Sequence, residues 1–570
     1  MRSTSAILVI LLLFSFTFRE EMAYPKDFFA PPVTGQMRLS GTFGELRPGH
    51  FHAGIDIKGS VGDALLAAAG GYVSRITVAP DGYGKAICLS HSNGYTTIYA
   101  HLSHFSPELE RYVRSHQYAA ESYAVDLRPE PGQFAFEKGA IIGAMGLTGS
   151  SFGPHLHFEV RDGGSELAIN PLNFGLQVAD SRPPFMQRLR LYAVDEQGSS
   201  YALKEAVLRG GQAGNFSLAQ GDTLYTYAAR SGLGLQVFDQ QDGAPNRNGI
   251  YDLKLFYNDS LAFGFNMEYF RREETGYLNA HLDYAALREN GQYVNRLYRM
   301  PGNALSNYPE EEGVIALSPG EAVKVRIKAA DIAGNTAALV FWLKRLPGEE
   351  SKQRPYCNYQ LPYDEPSIIQ TPSLFLRFPE NSLYENLALH YEPVLEDSYG
   401  VYSLVHHVHH PNTPVHRSFQ IGIRPTLMIP DRLREKAFIA YCTSGGAIVN
   451  CGGRWEGEFL ETRARSFGAY CILTDDEAPA IEPLNWREDM RGAASMAFRI
   501  SDNYETAGGV AGLQYRGTID GHWALFEYDA KNGRLEYFFE EALAPGPHQL
   551  RLEVKDAMGN KGVFEKGFNR

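Results

Sequence analysis

Short runs of alternating hydrophobic and polar residues, separated by glycine-rich turns, make up most of this chain. Three such runs lie close together at residues 72–78, 85–89 and 96–99, and the turn before the third contains Asn93 and Gly94. A period of two places successive side chains on opposite faces of a strand, and Asn-Gly pairs favour tight hairpin turns. We therefore predict antiparallel hairpins here, with a single helix over residues 107–117.

The same alternation continues from about residue 180 to the end. Residues 322–329 lead into Asp331-x-x-Gly-Asn335, and residues 550–555 lead into Asp556-x-x-Gly-Asn560. Asp and Asn favour the turn, and Gly allows a positive φ, so one type of hairpin is used twice. Neither aspartate is followed by EF-hand spacing, so we interpret both as turn residues and assign them no calcium.

Four modules follow from this pattern. The first module, 35–178, is dense in Gly and His. The repeated hairpins predict Ig-like β-sandwiches at 180–347 (the second module) and 476–570 (the fourth module), with a β-rich third module at 355–475 between them. Similar hairpins occur in unrelated β proteins, so coincidence is the alternative to a repeat.

Length and composition agree with a mainly β chain of several domains. The 570 residues exceed what one hydrophobic core accommodates, and 33 Tyr and 33 Phe with 57 Gly and 31 Pro favour strands joined by turns. A net charge of −13 argues against nucleic acid as a partner, although a local basic patch is compatible with it.

The N-terminus resembles a signal peptide. Arg2 precedes an apolar run over residues 6–18, which is shorter than the ~20 residues of a membrane span. We predict a signal peptide over residues 1–23 and a secreted or periplasmic protein. Glu21 is unfavourable for cleavage after Ala23, so an uncleaved anchor is the alternative; no later segment predicts a transmembrane span.

Five cysteines are too few for a disulfide scaffold. Cys442 and Cys451 flank a Gly-Gly turn and are candidates for a hairpin disulfide in an oxidising compartment. The alternative is that all five are small buried hydrophobic residues.

Three histidine clusters carry the candidate chemistry. His52 and Asp56 form the first, His101 the second, and His155 and His157 the third. On a strand His155 and His157 share one face. Two His and one Asp suit Zn²⁺ with three protein ligands and one open position. A single His101 is ordinarily a packing or surface residue, but the three clusters together point to a metal site.

The clusters resemble those of lysostaphin/LytM-type zinc metallopeptidases in order and spacing. His-x-x-x-Asp, Tyr-x-His-Leu and Gly-Pro-His-Leu-His-Phe-Glu occur in sequence, within about 140 of the 570 residues. The resemblance implies that His52, Asp56 and His157 bind zinc and that His101 and His155 are the catalytic pair. It also implies a compact antiparallel β fold, the duplicated hybrid motif, with the site in a groove.

The resemblance implies a zinc endopeptidase that cuts peptidoglycan stem peptides or cross-bridges. The alternatives are a wall-binding or hydrolase-activating protein on the same fold, and a zinc endopeptidase that acts on proteins. We expect residues 103–136, an insertion relative to compact family members, to border the groove. The modules after residue 178 are expected to bind wall or a protein partner, or to mask the groove. The tract His406–His410 is interpreted as a solvated strand end.

Overall fold

The three hairpin strands form where the alternation predicts them. In the computed structural model, which describes residues 23–308, 312–349, 356–396, 400–540 and 543–570, they span Gly71–Val78, Lys85–His91 and Tyr95–Ala100. The predicted helix extends three residues further, over Pro107–Ala120. The predicted signal peptide lies outside the described residues except for Ala23.

The first module contains fourteen strands and one α-helix, α1 (Pro107–Ala120). In chain order, β1 to β14 are Leu39–Gly41, Leu46–Arg47, His50–Phe51, Ile55–Lys58, Ala64–Leu66, Gly71–Val78, Lys85–His91, Tyr95–Ala100, Leu102–Phe105, Val125–Leu127, Ala135–Phe136, Ile141–Met145, His155–Asp162 and Ala168–Ile169.

Strand β13 occupies the middle of the main sheet, whose order is β1-β4-β13-β8-β7-β6-β10. All pairings along it are antiparallel, as predicted. The register places His157 opposite Asp56 of β4 on one side and opposite Ala100 of β8 on the other. Strand pairing therefore brings all three histidine clusters to one place in the fold.

The second module consists of one long sheet and two short helices, α2 (Leu278–His281) and α3 (Tyr284–Asn290), which the strand pattern did not predict. Strands β15 to β26 are Phe185–Val194, Ser200–Gly210, Asn215–Leu218, Thr223–Thr226, Arg230–Phe238, Asp252–Tyr257, Ser260–Asn266, Tyr269–Phe270, Val294–Arg296, Ile315–Ala316, Ala322–Ala330 and Thr336–Arg345. The sheet order β21-β20-β25-β26-β17-β16-β15-β19-β23 joins two halves through β16, and their buried faces share one core.

The third module packs a five-stranded sheet on a second sheet of five strands, which Glu505–Thr506 of the fourth module extends to six. It also has one short helix, α4 (Asp431–Arg434). Strands β27 to β38 are Tyr359–Leu361, Ser367–Gln370, Leu374–Phe378, Leu387–Leu389, Tyr391–Val394, Val405–Val408, Phe419–Ile423, Ala437–Cys442, Ile448–Asn450, Arg454–Glu456, Phe459–Ala464 and Gly468–Thr474. Apolar side chains from both sheets form a single cluster, as in a β-sandwich.

The fourth module packs two four-stranded sheets face to face over their own core. Strands β39 to β47 are Ala480–Pro483, Ser495–Ser501, Glu505–Thr506, Gln514–Ile519, His522–Trp523, Phe526–Asp529, Arg534–Phe538, Pro547–Lys555 and Lys561–Asn569. The mainly β, multi-module fold is confirmed. The hairpins β25–β26 and β46–β47 close through the two Asp-x-x-Gly-Asn turns, with φ of 94° at Gly334 and 80° at Gly559.

The core of the first module continues into the second. Strand β14 pairs with β22, which adds Tyr269 and Phe270 to the edge of the first module's sheet. The ring of Phe270 lies 5.1 Å from that of Phe43 and 5.6 Å from that of Phe51. The first and second modules therefore share apolar packing as well as a sheet.

The fourth module returns to contact the first. Lys85 forms an ion pair with Glu527 at 3.0 Å, and Lys531 donates to the carbonyl of Leu147 at 2.7 Å. Within the insertion, Tyr118 of α1 packs edge-on against Trp523 at 5.1 Å. The insertion therefore contributes to the contact between the first and fourth modules.

The cysteines do not adopt the predicted pairing. All five are free thiols, and the Sγ atom of Cys442 lies 4.0 Å from that of Cys471, on the adjacent strand β38. Cys451 instead contacts the carbonyl of Val449. Among the described residues, no helix has the length and apolar character that crossing a membrane requires.

Candidate metal centre and active site

Three side chains from different parts of the first module meet in one buried cluster. His52 precedes β4, Asp56 lies on β4 and His157 on β13. The Nε2 atom of His52 is 3.0 Å from the Nδ1 atom of His157, and Asp56 Oδ1 is 3.0 Å and 2.9 Å from these two nitrogens. The structure therefore brings the predicted ligand set together within the reach of one ion.

The other ring nitrogen of each histidine is held by a partner. His52 Nδ1 lies 2.8 Å from the backbone carbonyl of Thr42, and His157 Nε2 donates to Glu159 Oε1 at 2.8 Å. These bonds fix both rings so that the remaining nitrogens face Asp56. Ligands bound tetrahedrally at zinc distances lie about 3.3 Å apart. The donor set, two nitrogens and one carboxylate oxygen close to that spacing, fits zinc.

Glu159 holds the ring of His157, one of the predicted ligands, through a hydrogen bond. It is fully buried, and its carboxylate accepts hydrogen bonds from His157, from Tyr83 at 2.5 Å and from Arg161 at 2.7 Å. Burial alone would raise the pKa of Glu159, but its hydrogen bond from His157 and the charge of Arg161 lower it to about 2. Glu159, Tyr83 and Arg161 were not predicted as site residues. The alternation along β13 nevertheless places Glu159 on the same face of the strand as His157.

The predicted catalytic pair borders the same cluster. The rings of His101 and His155 lie 4.8 Å apart, and His155 Nε2 is 3.4 Å from Asp56 Oδ1. Backbone carbonyls hold the other nitrogens: His101 Nδ1 lies 2.8 Å from that of Thr148, and His155 Nδ1 lies 2.9 Å from that of Gly153. All five predicted site residues are therefore adjacent.

His101 has two unusual properties. Its φ of 65° is in the left-handed region, which non-glycine residues rarely adopt outside sites that constrain them. Burial, together with the charges of His157 and His155, lowers the pKa of His101 to about 3. Its imidazole is therefore neutral at pH 7, and because Nδ1 faces a carbonyl, Nε2 carries the lone pair.

The five residues line a groove of about 1250 Å³. One wall is the loop with Ser150 and the fully exposed Phe152, and the facing wall includes Phe270, Arg272 and Thr275 of the second module. No residue between 103 and 136 lines the groove, all of these residues being described, so the prediction that the insertion borders it is wrong. Because that segment packs on β6 and the fourth module, it lies away from the site.

The histidine tract of the third module lies elsewhere. His406 is fully buried on β32, where its Nδ1 lies 2.9 Å from the hydroxyl of Tyr391. The prediction of a solvated strand end is wrong for this residue, because β32 pairs on both sides. His407 and His410 are exposed, as predicted.

Comparison with known proteins identifies two regions. Residues 50–129 match the family model described as Peptidase family M23, and residues 358–475 match that of a Zu5-like domain. The "DD-carboxypeptidase/endopeptidase Mpg" of Neisseria meningitidis serogroup B is 34% identical over 144 residues, which are 24% of this chain and 27% of that protein. The "Murein hydrolase activator NlpD" of Escherichia coli is 32% identical over 133 residues, 23% of this chain and 28% of that protein.

This chain thus spans little more than a quarter of the length of these curated relatives. Among solved structures, a catalytic-domain mutant of the prophage-encoded M23 protein EnpA from Enterococcus faecalis is 26% identical. The match covers 26% of this chain and 98% of that one, with a TM-score of 0.20. The family match confirms the resemblance that the histidine motifs carry, since residues 50–129 of this chain match Peptidase family M23.

Proposed function

We propose that the chain is a zinc-dependent endopeptidase that hydrolyses peptide bonds of peptidoglycan stem peptides or cross-bridges, in the periplasm or outside the cell. The main support is the groove, in which a complete three-residue ligand set and two further histidines occur together. Zinc held by His52, Asp56 and His157 would supply Lewis acidity toward a peptide carbonyl and the attacking water.

The chain's own groups perform the remaining steps in this proposal. His101, neutral at pH 7, accepts the proton of the attacking water through the nitrogen that does not face Thr148. Because His155 Nδ1 lies 2.9 Å from the carbonyl of Gly153, it is the imidazolium form of His155 that donates a hydrogen bond, through Nε2, to the oxygen that becomes negative as the carbonyl is attacked. The protonated His101 then delivers its proton to the leaving amine.

The substrate class rests on the relatives and on the shape of the site. One relative is named a carboxypeptidase and endopeptidase, and another a murein hydrolase activator. The groove is open, with a volume of about 1250 Å³, and Arg272 in its lining suits a substrate carboxylate. Stem peptides of the wall contain such carboxylates beside their cross-links.

Digestion of purified peptidoglycan tests the proposal. The zinc-loaded full chain should release fragments with a new amine and a new carboxyl group, identified by mass spectrometry. His101→Ala and His155→Ala should keep zinc and lose at least ~100-fold in rate, whereas His157→Ala should lose zinc. His104→Ala is the matched control, because His104 is exposed and does not line the groove.

Two outcomes would replace this function by the alternatives. A zinc-loaded chain that leaves peptidoglycan intact but accelerates a separate wall hydrolase would be an activator. A chain that cleaves a glycine-rich protein and spares peptidoglycan would be a protein endopeptidase. Loss of zinc from the His101 or His155 variant would make that residue a ligand and contradict its catalytic role.

A further inference from the structure

A second group of potential metal ligands lies where the first module joins the second. Asp180 is in the connecting segment, Asp239 follows β19, and Asp331 begins the turn after β25. One carboxylate oxygen from each lies within 4.8 Å of the other two. The electrostatic repulsion between three carboxylates at this distance is unfavourable unless a cation or a proton offsets it.

Asp239 gives the independent indication of a ligand. Its side chain is 2% exposed, and its Oδ1 atom has no hydrogen-bond partner. A buried charged oxygen without a partner carries a large desolvation cost. Gln241, in the same loop, is 3% exposed, and its Oε1 atom is also without a partner. At least one oxygen of the trio, Asp239 Oδ1, is thus buried without a protein donor.

The neighbouring contacts hold the connecting segment against the turn. Asn335 donates through Nδ2 to Asp331 Oδ2 at 2.8 Å and to the backbone carbonyl of Asp180 at 3.3 Å. The fourth module repeats this arrangement, since Asn560 donates to Asp556 Oδ2 at 2.7 Å and to the carbonyl of Asp475 at 3.0 Å.

The repeat includes the carboxylates themselves. Asp475 and Asp556 form a second trio with Asp502, again with one oxygen from each within 4.8 Å of the others. Asp475 lies between the third and fourth modules, as Asp180 lies between the first and second. A trio of aspartates thus occurs at each of two module junctions. A role in the turn would explain only Asp331 and Asp556, and not the other two aspartates of each trio.

We propose that Asp180, Asp239 and Asp331 form a calcium site that fastens the segment after the peptidase domain to the second module. The donors are all oxygen atoms, whereas zinc and copper sites in proteins usually include nitrogen or sulfur ligands. Calcium tolerates irregular sets of carboxylate, amide and carbonyl oxygens, whereas magnesium demands near-octahedral geometry. This proposal adds to the turn role of Asp331 that the sequence predicts, because the ligands come from three separate segments instead of one loop.

A proton is the competing occupant. Burial and the charges of Asp180 and Asp331 raise the pKa of Asp239 to about 8. Without calcium this carboxyl is protonated over most of the neutral range, so calcium binding is measured better at pH 8 than at pH 7, because less of the carboxyl holds its proton.

Equilibrium dialysis of the zinc-loaded full chain against calcium tests the site. Asp239→Asn should bind one calcium fewer per chain than the unmodified protein, and Asp180→Asn should lose the same ion. The variant that combines both substitutions should lose no more calcium than either single variant, because the two aspartates belong to the same site. The trio at Asp475, Asp502 and Asp556 is intact in every variant and contributes equally.

The matched control is Asp259→Asn. It removes one charge from the same module at an exposed position paired with Lys324 and Arg326, so its calcium count should not change. In the absence of calcium, Asp239→Asn should melt no lower than the unmodified protein, because the amide is uncharged like the protonated carboxyl. A much lower melting temperature would show that the variant is misfolded. An unmodified chain that binds no calcium, or an Asp239→Asn variant that binds as many ions as Asp259→Asn, would overturn the proposal.

Discussion

The backbone amide of Phe51 donates a hydrogen bond to the Oγ1 atom of Thr275 at 2.9 Å. Phe51 immediately precedes His52, and Thr275 lies in the second module, on the wall of the groove. The segment that carries His52, a proposed zinc ligand, is thereby tied to a part of the chain more than two hundred residues away. The second module is accordingly part of the site's structure.

Removing this hydroxyl should destabilise the first module. In Thr275→Val the side chain keeps its shape, but the amide of the buried Phe51 loses its partner, which costs about 1–3 kcal/mol. We expect the free energy of unfolding, measured in urea, to fall by that amount and zinc affinity to fall with it. Thr223→Val is the control, because its hydroxyl bonds only to the exposed Asp222. Equal unfolding of the two variants would contradict the structural role of Thr275.

Two truncations test the shared core. A fragment of residues 23–178 loses strand β22 and the ring of Phe270, which packs on Phe43 and Phe51. We expect this fragment to unfold without a cooperative transition and to bind zinc weakly, because apolar surface and a sheet edge become exposed. A fragment of residues 23–347 should unfold cooperatively and bind one zinc. A soluble, cooperative and fully zinc-bound 23–178 fragment would show that the first module is independent.

The sequence predicted the local elements well, and also the five site residues that the fold brings together, for physical reasons. The alternation along residues 155–160 gave the face that His155 and His157 share, and the pairing of β13 with β4 completed the site. The distant contacts were not predictable. The sequence pattern around Thr275 and Trp523 does not predict which residues they contact. Periodicity predicts which face of a strand a side chain lies on, but not which element packs against that face.

The burial of His406 escaped prediction for a related reason. A histidine-rich tract has the composition of an exposed loop, but β32 lies between β31 and β38 in its sheet. The aspartate trio also depended on the three-dimensional fold, since Asp180, Asp239 and Asp331 belong to no single motif.

Glu159→Gln should weaken zinc binding without unfolding the protein. The amide keeps the size of the carboxylate but removes the charge that orients His157 through its Nε2 hydrogen. Partners of this kind typically contribute about 10–100-fold to metal affinity, so we expect a loss of that size in a chelator competition. Glu166→Gln is the control, since Glu166 also contacts Arg161 but its side chain is 70% exposed. Unchanged zinc affinity in Glu159→Gln would mean that the backbone alone orients His157.

The stability of the contact between the second and third modules should depend on pH through Glu385. Its Oε2 atom accepts from the amide of Ser200 at 2.8 Å. Burial raises the pKa of Glu385 to about 7, although the charge of Arg296 opposes the shift.

The folded protein therefore holds this proton at pH values where the unfolded chain has released it. The stabilisation is complete below the unfolded pKa of about 4.3 and is lost as pH rises through about 7. Glu385→Gln cannot release a proton, so its melting temperature should rise relative to that of the unmodified protein as pH increases from about 4.3 to about 7, and the difference should then level off. Melting curves of both proteins at intervals of about one pH unit measure the difference. A difference that stays constant with pH would show that Glu385 ionises alike in the folded and unfolded chain, and that the proton plays no part in joining the modules.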